Sequence, residues 1–307
     1  MKKMIRIASR ESQLAMWQAN YIADRIREKY PDTEVSVLSF KTQGDIILDQ
    51  PLAEIGGKGL FIKELEHALL SDDADLAVHS MKDVPMDLPE PFEICAISER
   101  ENPSDAFISN KYASLDDLPQ NAVVGTSSLR RQSLIKHTRP DLIIESLRGN
   151  LQTRLKKLDS GIYDAIILAS AGLIRLNLEN RIKSTLDVKQ YTPSVGQGAL
   201  GIEILKNKSE LKELLDFLND EQTQIQVEAE RKISKTLAGS CTVPMGAHAS
   251  IKNNLLTIQA FVSSPDGIKM IRATDTGPYT EHLSLANNVA QSLIDQGAKN
   301  ILGLEHG

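Results

Sequence analysis

Lys82 and Asp83 stand side by side in the segment Asp75-Leu76-Ala77-Val78-His79-Ser80-Met81-Lys82-Asp83-Val84-Pro85. An ammonium beside a carboxylate can steady a developing cation, relay a proton or hold an anion, although a bare Lys-Asp pair reads more often as a solvated turn. Its setting argues for chemistry. Leu76 to Val78 is a short apolar run of the kind that forms a buried strand, and Pro85 forces Val84 into an extended backbone. His79, Ser80, Lys82 and Asp83 are therefore crowded at the carboxyl end of a strand, where open α/β sheets place their ligand sites.

Further groups repeat that placement. Met4 to Ala8 reads as a strand that runs into Ser9-Arg10-Glu11-Ser12, after which Leu14, Trp17, Ile22 and Ile26 mark a helix face. Arg10 and Ser12 then lie at a helix N-terminus, whose backbone N–H groups favour an anion. Later the strand Ala122–Thr126 leads into Ser128, Arg130 and Arg131. Asp141–Leu147 leads into Arg148 and Asn150 and a helix carrying Arg154, and Ala165–Ser170 leads to Arg175. Three strand ends followed by small polar residues and arginine predict an anion-binding cleft, because the planar guanidinium pairs bidentately with carboxylates.

The elements that must position these groups alternate strand and helix, with near-continuous apolar strands, which predicts α/β architecture with mainly parallel sheets. Glu34–Phe40 is a second strand, and Lys41 to Lys58 is a long stretch of weak periodicity, as expected of a lid. Gly56-Gly57-Lys58-Gly59 lacks the spacing and the Ser or Thr of a phosphate loop. Leu60–Leu70 follows as a helix and Glu93–Ile97 as a strand holding Cys95 in apolar surroundings. Thr192–Gly198 is turn-rich and hinge-like, and the strand Ala199–Leu205 is expected to return to the first sheet. From Gln222 a helix runs to Leu237, Cys241 to His248 reads as a loop, and a hairpin of Leu255–Ser263 and Lys269–Ala273 precedes a last helix near Glu281–Gln296. The expected division is residues 1–99 with 199–219, residues 100–198, and a small α+β domain over 220–307.

Bulk composition bounds the function. The chain has 307 residues, 41% hydrophobic and 25% charged, with a net charge of −6, which argues for a soluble globular protein of more than one domain and against a nucleic-acid partner or an anionic membrane surface. No apolar run approaches the roughly 18 residues of a membrane span, and Arg6 interrupts any signal-peptide core after Met1-Lys2-Lys3, so a cytoplasmic location is expected. Cys95 and Cys241 are the two cysteines, expected as free thiols, with Cys95 structural. The histidines are scattered without ligand spacing, so no metal is expected. A Cys241 thiol paired with His79 or His248 is a competing nucleophile reading, but arginine-rich surroundings do not particularly suit peptide or acyl chemistry.

The motifs resemble one family over nearly the whole chain. V-H-S-M-K-D-V-P at Val78–Pro85 is joined by S-R-x-S at Ser9–Ser12, G-G-K-G-L-F at Gly56–Phe61 and G-T-S-S-L-R-R at Gly125–Arg131. L-R-G-N at Leu147–Asn150, V-G-Q-G-A-L at Val195–Leu200 and G-S-C-x-V-P-M-G at Gly239–Gly246 complete the set. In that order they are similar to the porphobilinogen deaminases (hydroxymethylbilane synthases); Ser240 replaces a common Gly, small for small.

The resemblance implies two doubly wound domains like those of type II periplasmic binding proteins plus a small C-terminal domain. It implies a monomeric transferase of porphyrin and heme biosynthesis that joins four porphobilinogen molecules head to tail into hydroxymethylbilane, releasing ammonia. It further implies a dipyrromethane cofactor in thioether linkage to Cys241, catalysis by Asp83 with Lys82 and Arg10, and cofactor contacts from Lys58, Ser80, Lys82, Asp83, Thr126, Ser128, Arg130, Arg131 and Arg154. Substrate contacts fall to Arg10, Ser12, Phe61, Arg148, Asn150, Arg175 and Gln197. The alternative from another class is a non-catalytic two-lobed binding protein for a polycarboxylate, which would have no use for a loop cysteine at Cys241.

Overall fold

The computed structural model describes residues 4–46, 61–237 and 243–303. They form two compact units, one drawn from Met1–Glu101 and Ala199–Gln224, the other from Asn102–Gly198 and Ile225–Gly307.

The first unit is built on a five-stranded sheet in the order β2-β1-β3-β10-β4. Its strands are β1 (Met4–Arg10), β2 (Glu34–Phe40), β3 (Leu76–Ser80), β4 (Phe92–Ile97) and β10 (Leu200–Leu205). β1 runs parallel to β2 and β3, whereas β10 is antiparallel to both β3 and β4. The returning strand is thus inserted inside the sheet. It enters from the opposite direction because it arrives from the other unit without a crossover helix, so the sheet is mixed where the alternation predicts a mainly parallel one.

Helix α1 (Gln13–Lys29) covers one face. Ala19, Ile22, Ala23 and Ile26 repeat at helical spacing and pack on Ile5, Ile7, Leu76, Val78 and Ile202. Trp17 lies off that stripe, half-buried and stacked on Tyr21. After a short α2 (Gln43–Ile46), α3 (Lys63–Leu70) covers the opposite face through Leu65, Ala68 and Leu69 against Ala8, Ala77 and Phe92. α7 (Ser209–Leu215) closes the unit, its Leu211 and Leu215 joining the α1-side core.

The second unit repeats the plan with the order β7-β6-β8-β5-β9: β5 (Asp105–Ile108), β6 (Val123–Gly125), β7 (Ile143–Glu145), β8 (Ala165–Ala169) and β9 (Ser184–Thr185). β6 is parallel to β7 and β8, while β5 is antiparallel to β8 and β9. Its helices are α4 (Leu129–Thr138), α5 (Leu151–Asp159) and α6 (Ser170–Arg175).

A third sheet of β11 (Met245–Lys252), β12 (Leu255–Ser263) and β13 (Met270–Pro278) follows α8 (Glu221–Thr236) and carries α9 (His282–Asp295) and α10 (Ala298–Ile301). β11 corrects the loop expected through His248. Its run Gly246-Ala247-His248-Ala249 is too small-residued to announce a strand, and close packing is the reason. A Cβ on Gly246 would stand 2.6 Å from the Pro193 carbonyl oxygen. Phe261 of β12 is fully buried in one core with Phe107 of β5 and with Leu134 and Ile135 of α4.

Candidate active site

In the first unit, the parallel pairing of β1 with β3 brings both carboxyl ends to one edge of the sheet. Arg10 is the last residue of β1. Its guanidinium lies over the Phe61 ring, 4.3 Å from the centroid, a cation–π contact. Ser12 caps α1, its Oγ accepting from the Ala15 N–H at 3.3 Å. Beside them β3 ends in Ser80, whose Oγ accepts from Gln18 Nε2 at 3.0 Å.

The chain then makes one 3₁₀ turn, Met81–Asp83, that carries Lys82 and Asp83 half-buried. Met81 makes contacts that hold this turn. The Met81 N–H donates to the Ala199 carbonyl at 2.9 Å, and the buried Met81 side chain sits over Gly201, where a Cβ would come within 2.3 Å of Sδ. Gln18 and Met81, which contact Ser80 and this turn, are residues that the sequence reading did not single out. Gln18 was legible as a polar residue inside the apolar stripe of α1.

In the second unit, β6, β7 and β8 are mutually aligned, so the loops that follow them emerge on one edge. Thr126 is buried at the end of β6, with its Oγ1 accepting from the Ser128 N–H at 3.2 Å. Ser128 caps α4, and Asn150 caps α5 through its Oδ1 and the Thr153 N–H at 2.9 Å. Arg148 and Arg154 are half-buried on either side of that cap, and Arg154 Nε donates to the Gly149 carbonyl at 2.7 Å.

The remaining arginines are less exposed than a ligand-facing row would be. Arg130, Arg131 and Arg175 are all buried. Arg130 Nη2 and Arg131 Nη2 donate to the two oxygens of Asp105 at 2.7 and 2.8 Å. Arg130 also donates to the Thr192 carbonyl and Arg131 to that of Ile167, at 2.8 and 3.1 Å. Gln197 Nε2 donates to Asp105 at 2.9 Å and to the Pro103 carbonyl at 2.7 Å. Arg175 Nη2 donates to the Gly198 carbonyl at 2.7 Å.

Asp105 is the residue missed here. Burial raises its carboxyl pKa, but the charges of Arg130 and Arg131 outweigh burial and hold it well below the usual carboxylate range. Arg130 is lowered, first by burial and then by Arg131, against the pull of Asp105. Two guanidiniums against one carboxylate leave one positive charge in a buried setting. A single Asp opening an apolar strand, two strands before an Arg-Arg pair, was the available signal.

Lys58 and Cys241 lie outside the described residues, as does most of the expected lid. Cys95 packs against the first unit's core; burial, aided by the charge of Glu93, pushes its thiol up to about 12. Among the described residues, no group of three or more His, Cys, Asp or Glu is arranged to hold a metal ion, and no helix is long and apolar enough to cross a membrane.

The class so defined is a mixed α/β protein with two five-stranded sheets and a small C-terminal sheet. Comparison with known proteins makes it specific. Residues 5–213 match the family model described as porphobilinogen deaminase, dipyromethane cofactor binding domain, and residues 224–295 match the porphobilinogen deaminase C-terminal domain. A porphobilinogen deaminase of Neisseria meningitidis serogroup A is 53% identical over 98% of this chain and 97% of its own length. That of Thiobacillus denitrificans is 53% identical over 96% and 97%. This chain belongs to the porphobilinogen deaminase family.

At the level of fold it is also similar to solved structures of the methionine binding protein MetQ (13% identity, TM-score 0.46, covering 74% of this chain and 91% of that one) and of a YaeC-family lipoprotein from Enterococcus faecalis (17%, 0.41, 78% and 98%).

Proposed function

We propose that this protein joins four porphobilinogen molecules head to tail into the linear tetrapyrrole hydroxymethylbilane, a precursor of porphyrins and heme, with release of ammonia at each addition. The observation that carries the reading is the full-length family match together with the placement of its motif residues on the carboxyl edges of both sheets. The non-catalytic binding-protein reading has only a fold likeness behind it.

Each porphobilinogen brings an acetate and a propionate, so the substrate and its oligomers are polyanions. The donor set fits such a group: Arg10 with Ser12 on the first edge, and on the second Arg148 and Asn150 at a capped helix start and Arg175. Thr126, Ser128, Arg130, Arg131 and Arg154, with Ser80, Lys82 and Lys58, would hold the carboxylates of a dipyrromethane. The surplus positive charge around Asp105 favours a buried anion. When bound through Cys241, that group supplies the terminal pyrrole from which chain growth starts.

In each addition the carbon–nitrogen bond of the substrate's aminomethyl group breaks, with electrons supplied from its ring nitrogen, and positive charge develops on the ring. Asp83 is a fixed carboxylate for that charge. A new carbon–carbon bond forms as the attacking pyrrole's ring carbon loses a proton, and Asp83 relays this proton toward the departing amine. Lys82 and Arg10 orient the acidic side chains, and Phe61 offers a flat apolar surface to a ring. Gln197 acts through Asp105.

The three-domain division, residues 1–99 with 199–219, 100–198 and 220–307, belongs to this proposal, as do a monomeric state and a cytoplasmic location. Gel filtration at working concentration tests the first of these last two. The decisive experiment is the intact mass of the denatured protein with peptide mapping of Cys241, before and after incubation with porphobilinogen. An adduct of two linked pyrrole units on Cys241, further growth with substrate, and hydroxymethylbilane in solution are expected. A Cys241 that stays unmodified in the presence of porphobilinogen, with no ammonia released, overturns the reading.

A further inference from the structure

Beneath the end of β3 lies a group of ionisable side chains that the reaction above does not use. Glu203 of β10 is fully buried, and His79 of β3 and Glu66 of α3 are 6% and 8% exposed. His79 Nε2 and Glu203 Oε2 are 2.7 Å apart. The antiparallel register sets His79 opposite Gly201 and Ala77 opposite Glu203, so His79 and Glu203 are diagonal neighbours on one face of the sheet. That face is the one α3 covers, since Ala77 shares its apolar cluster with Leu65, Ala68 and Leu69, and Glu66 comes from that helix.

One oxygen of Glu66 and the second oxygen of Glu203 are buried without a hydrogen-bond partner. Two carboxyl groups and one imidazole in apolar surroundings are stable when one carboxylate pairs with the imidazole and the other carboxyl keeps its proton. Glu66 is shifted in that direction. Burial, and then the charge of Glu203, raise its pKa, while His79 and Lys63 pull it down by less.

The cluster sits where it can hold the reacting turn. His79 is bonded in the chain to Ser80, and Glu203 lies on β10, whose Gly201 packs under Met81 and whose preceding residue Ala199 accepts from the Met81 N–H. We propose that His79 and Glu203 are positioning residues for the Ser80–Asp83 turn, locked as a buried pair between β3 and β10 and closed over by Glu66. The inference rests on the reading of Asp83 as the reacting carboxylate.

The test uses the full-length, cofactor-loaded protein with Glu203→Gln, Glu66→Gln, His79→Gln and the His79→Gln/Glu203→Gln double variant. Cofactor loading is checked by mass at Cys241 and folding by thermal melts. Because a misplacement of about 1 Å can cost on the order of 100-fold in rate, Glu203→Gln should lower kcat roughly 10- to 100-fold with KM changed less than about twofold. Glu66→Gln mimics a protonated carboxyl and should leave kcat within about twofold. The double variant should be no worse than the poorer single one, as for two residues acting as a unit.

Amide hydrogen exchange supplies a readout independent of turnover: Glu203→Gln should speed exchange at Met81 while the helices of the same unit stay protected. A folded, loaded Glu203→Gln with wild-type kcat and unchanged Met81 exchange overturns the proposal. So does Glu66→Gln as damaging as Glu203→Gln, or a uniform loss of kcat, loading and melting temperature. Failure of the wild-type protein itself to consume porphobilinogen would strike the functional reading instead, and the exchange experiment would still decide whether the cluster holds the turn.

Discussion

At the carboxyl edge of the first sheet, Lys82 and Asp83 ride a half-buried turn held by a main-chain hydrogen bond and by the packing of Met81 on Gly201. At the corresponding edge of the second sheet, Arg130 and Arg131 are buried and clamped by the carboxylate of Asp105. Both edges follow the same strand–loop–helix plan, yet at the first the turn is gripped through Met81, with the His79–Glu203 pair set back in the sheet, whereas at the second ion pairs seize the edge arginines themselves. Anchoring through Met81 and not through the carboxylate itself would leave the charge of Asp83 available to a cation. Ion-pair anchoring fixes geometry but commits charge, and only the excess of two guanidiniums over one carboxylate remains for a ligand.

Asp83→Asn makes the sharpest break in this comparison. If the turn is held through Met81 and not through the charge of Asp83, the amide folds in place, and thermal melting should stay within about 0.5 kcal/mol of wild type. Turnover, measured as ammonia or hydroxymethylbilane released, should fall roughly 100- to 10,000-fold, the range of a lost acid–base group. Near-wild-type activity would remove Asp83 from the chemistry; a large loss of stability would show that the Asp83 charge itself helps hold the turn.

Asp105→Asn should behave in the opposite way. It leaves two buried guanidiniums facing each other, and loss of one partner of a buried pair costs about 3–5 kcal/mol, read by urea unfolding. The pH dependence has a definite sign. The folded-state carboxyl titrates below its ordinary value of 3.8, so its contribution is complete above that value and is lost as pH falls from about 4 toward the folded-state pKa. The wild type should therefore lose stability on acidification below about pH 4 more steeply than the variant. Parallel acid curves would show that Asp105 is not the clamp.

Arg148→Leu probes the half-buried part of the second edge, where charge is not tied to Asp105. A charged hydrogen bond to a ligand carboxylate contributes about 1.5–3 kcal/mol, so KM should rise or chain growth stall roughly tenfold to hundredfold, with a melt close to wild type. Mass spectra of the Cys241 peptide would show which pyrrole addition stops. Unchanged kinetics and an unchanged ladder would sink the carboxylate-holding role of this arginine.

Much of this arrangement is visible in the chain itself, and the parts that are not share a physical cause. The strand-end clusters announce themselves because apolar runs stop abruptly in Ser80, Ser128 and Arg148, and parallel pairing then aligns their edges. The return of Ala199–Leu205 to the first sheet was also legible, from the hinge-like residues before it. Its antiparallel insertion between β3 and β4 was not, because an apolar strand reads the same in either direction. The roles of Asp105, Gln18 and Glu203 depend on partners 25 to 124 residues away, which no local periodicity encodes. β11 escaped notice because a strand packed against backbone carbonyls uses Gly and Ala, which carry little strand signal.

The smallest effect belongs to Cys95, in β4 of the same sheet that carries Asp83. If the half-burial of the first edge extended into the sheet, this thiol would react; the structure instead packs it on the unit's core and raises it from 9.0 to about 12. Three decades less thiolate at a given pH should make native alkylation by iodoacetamide at pH 8 roughly a thousandfold slower than for an unshifted thiol. A group raised in the fold favours folding below its unfolded pKa and loses that advantage as pH rises, so Cys95 should weaken the protein between about pH 9 and 12. Cys95→Ala should remove this alkaline loss at a cost of only about 1 kcal/mol at neutral pH. Peptide mapping after native alkylation makes the check. Rapid labelling of Cys95 would mean that the first sheet opens well beyond its edge, and the contrast between an edge gripped through Met81 and one gripped through Asp105 would then be a contrast in local stability instead.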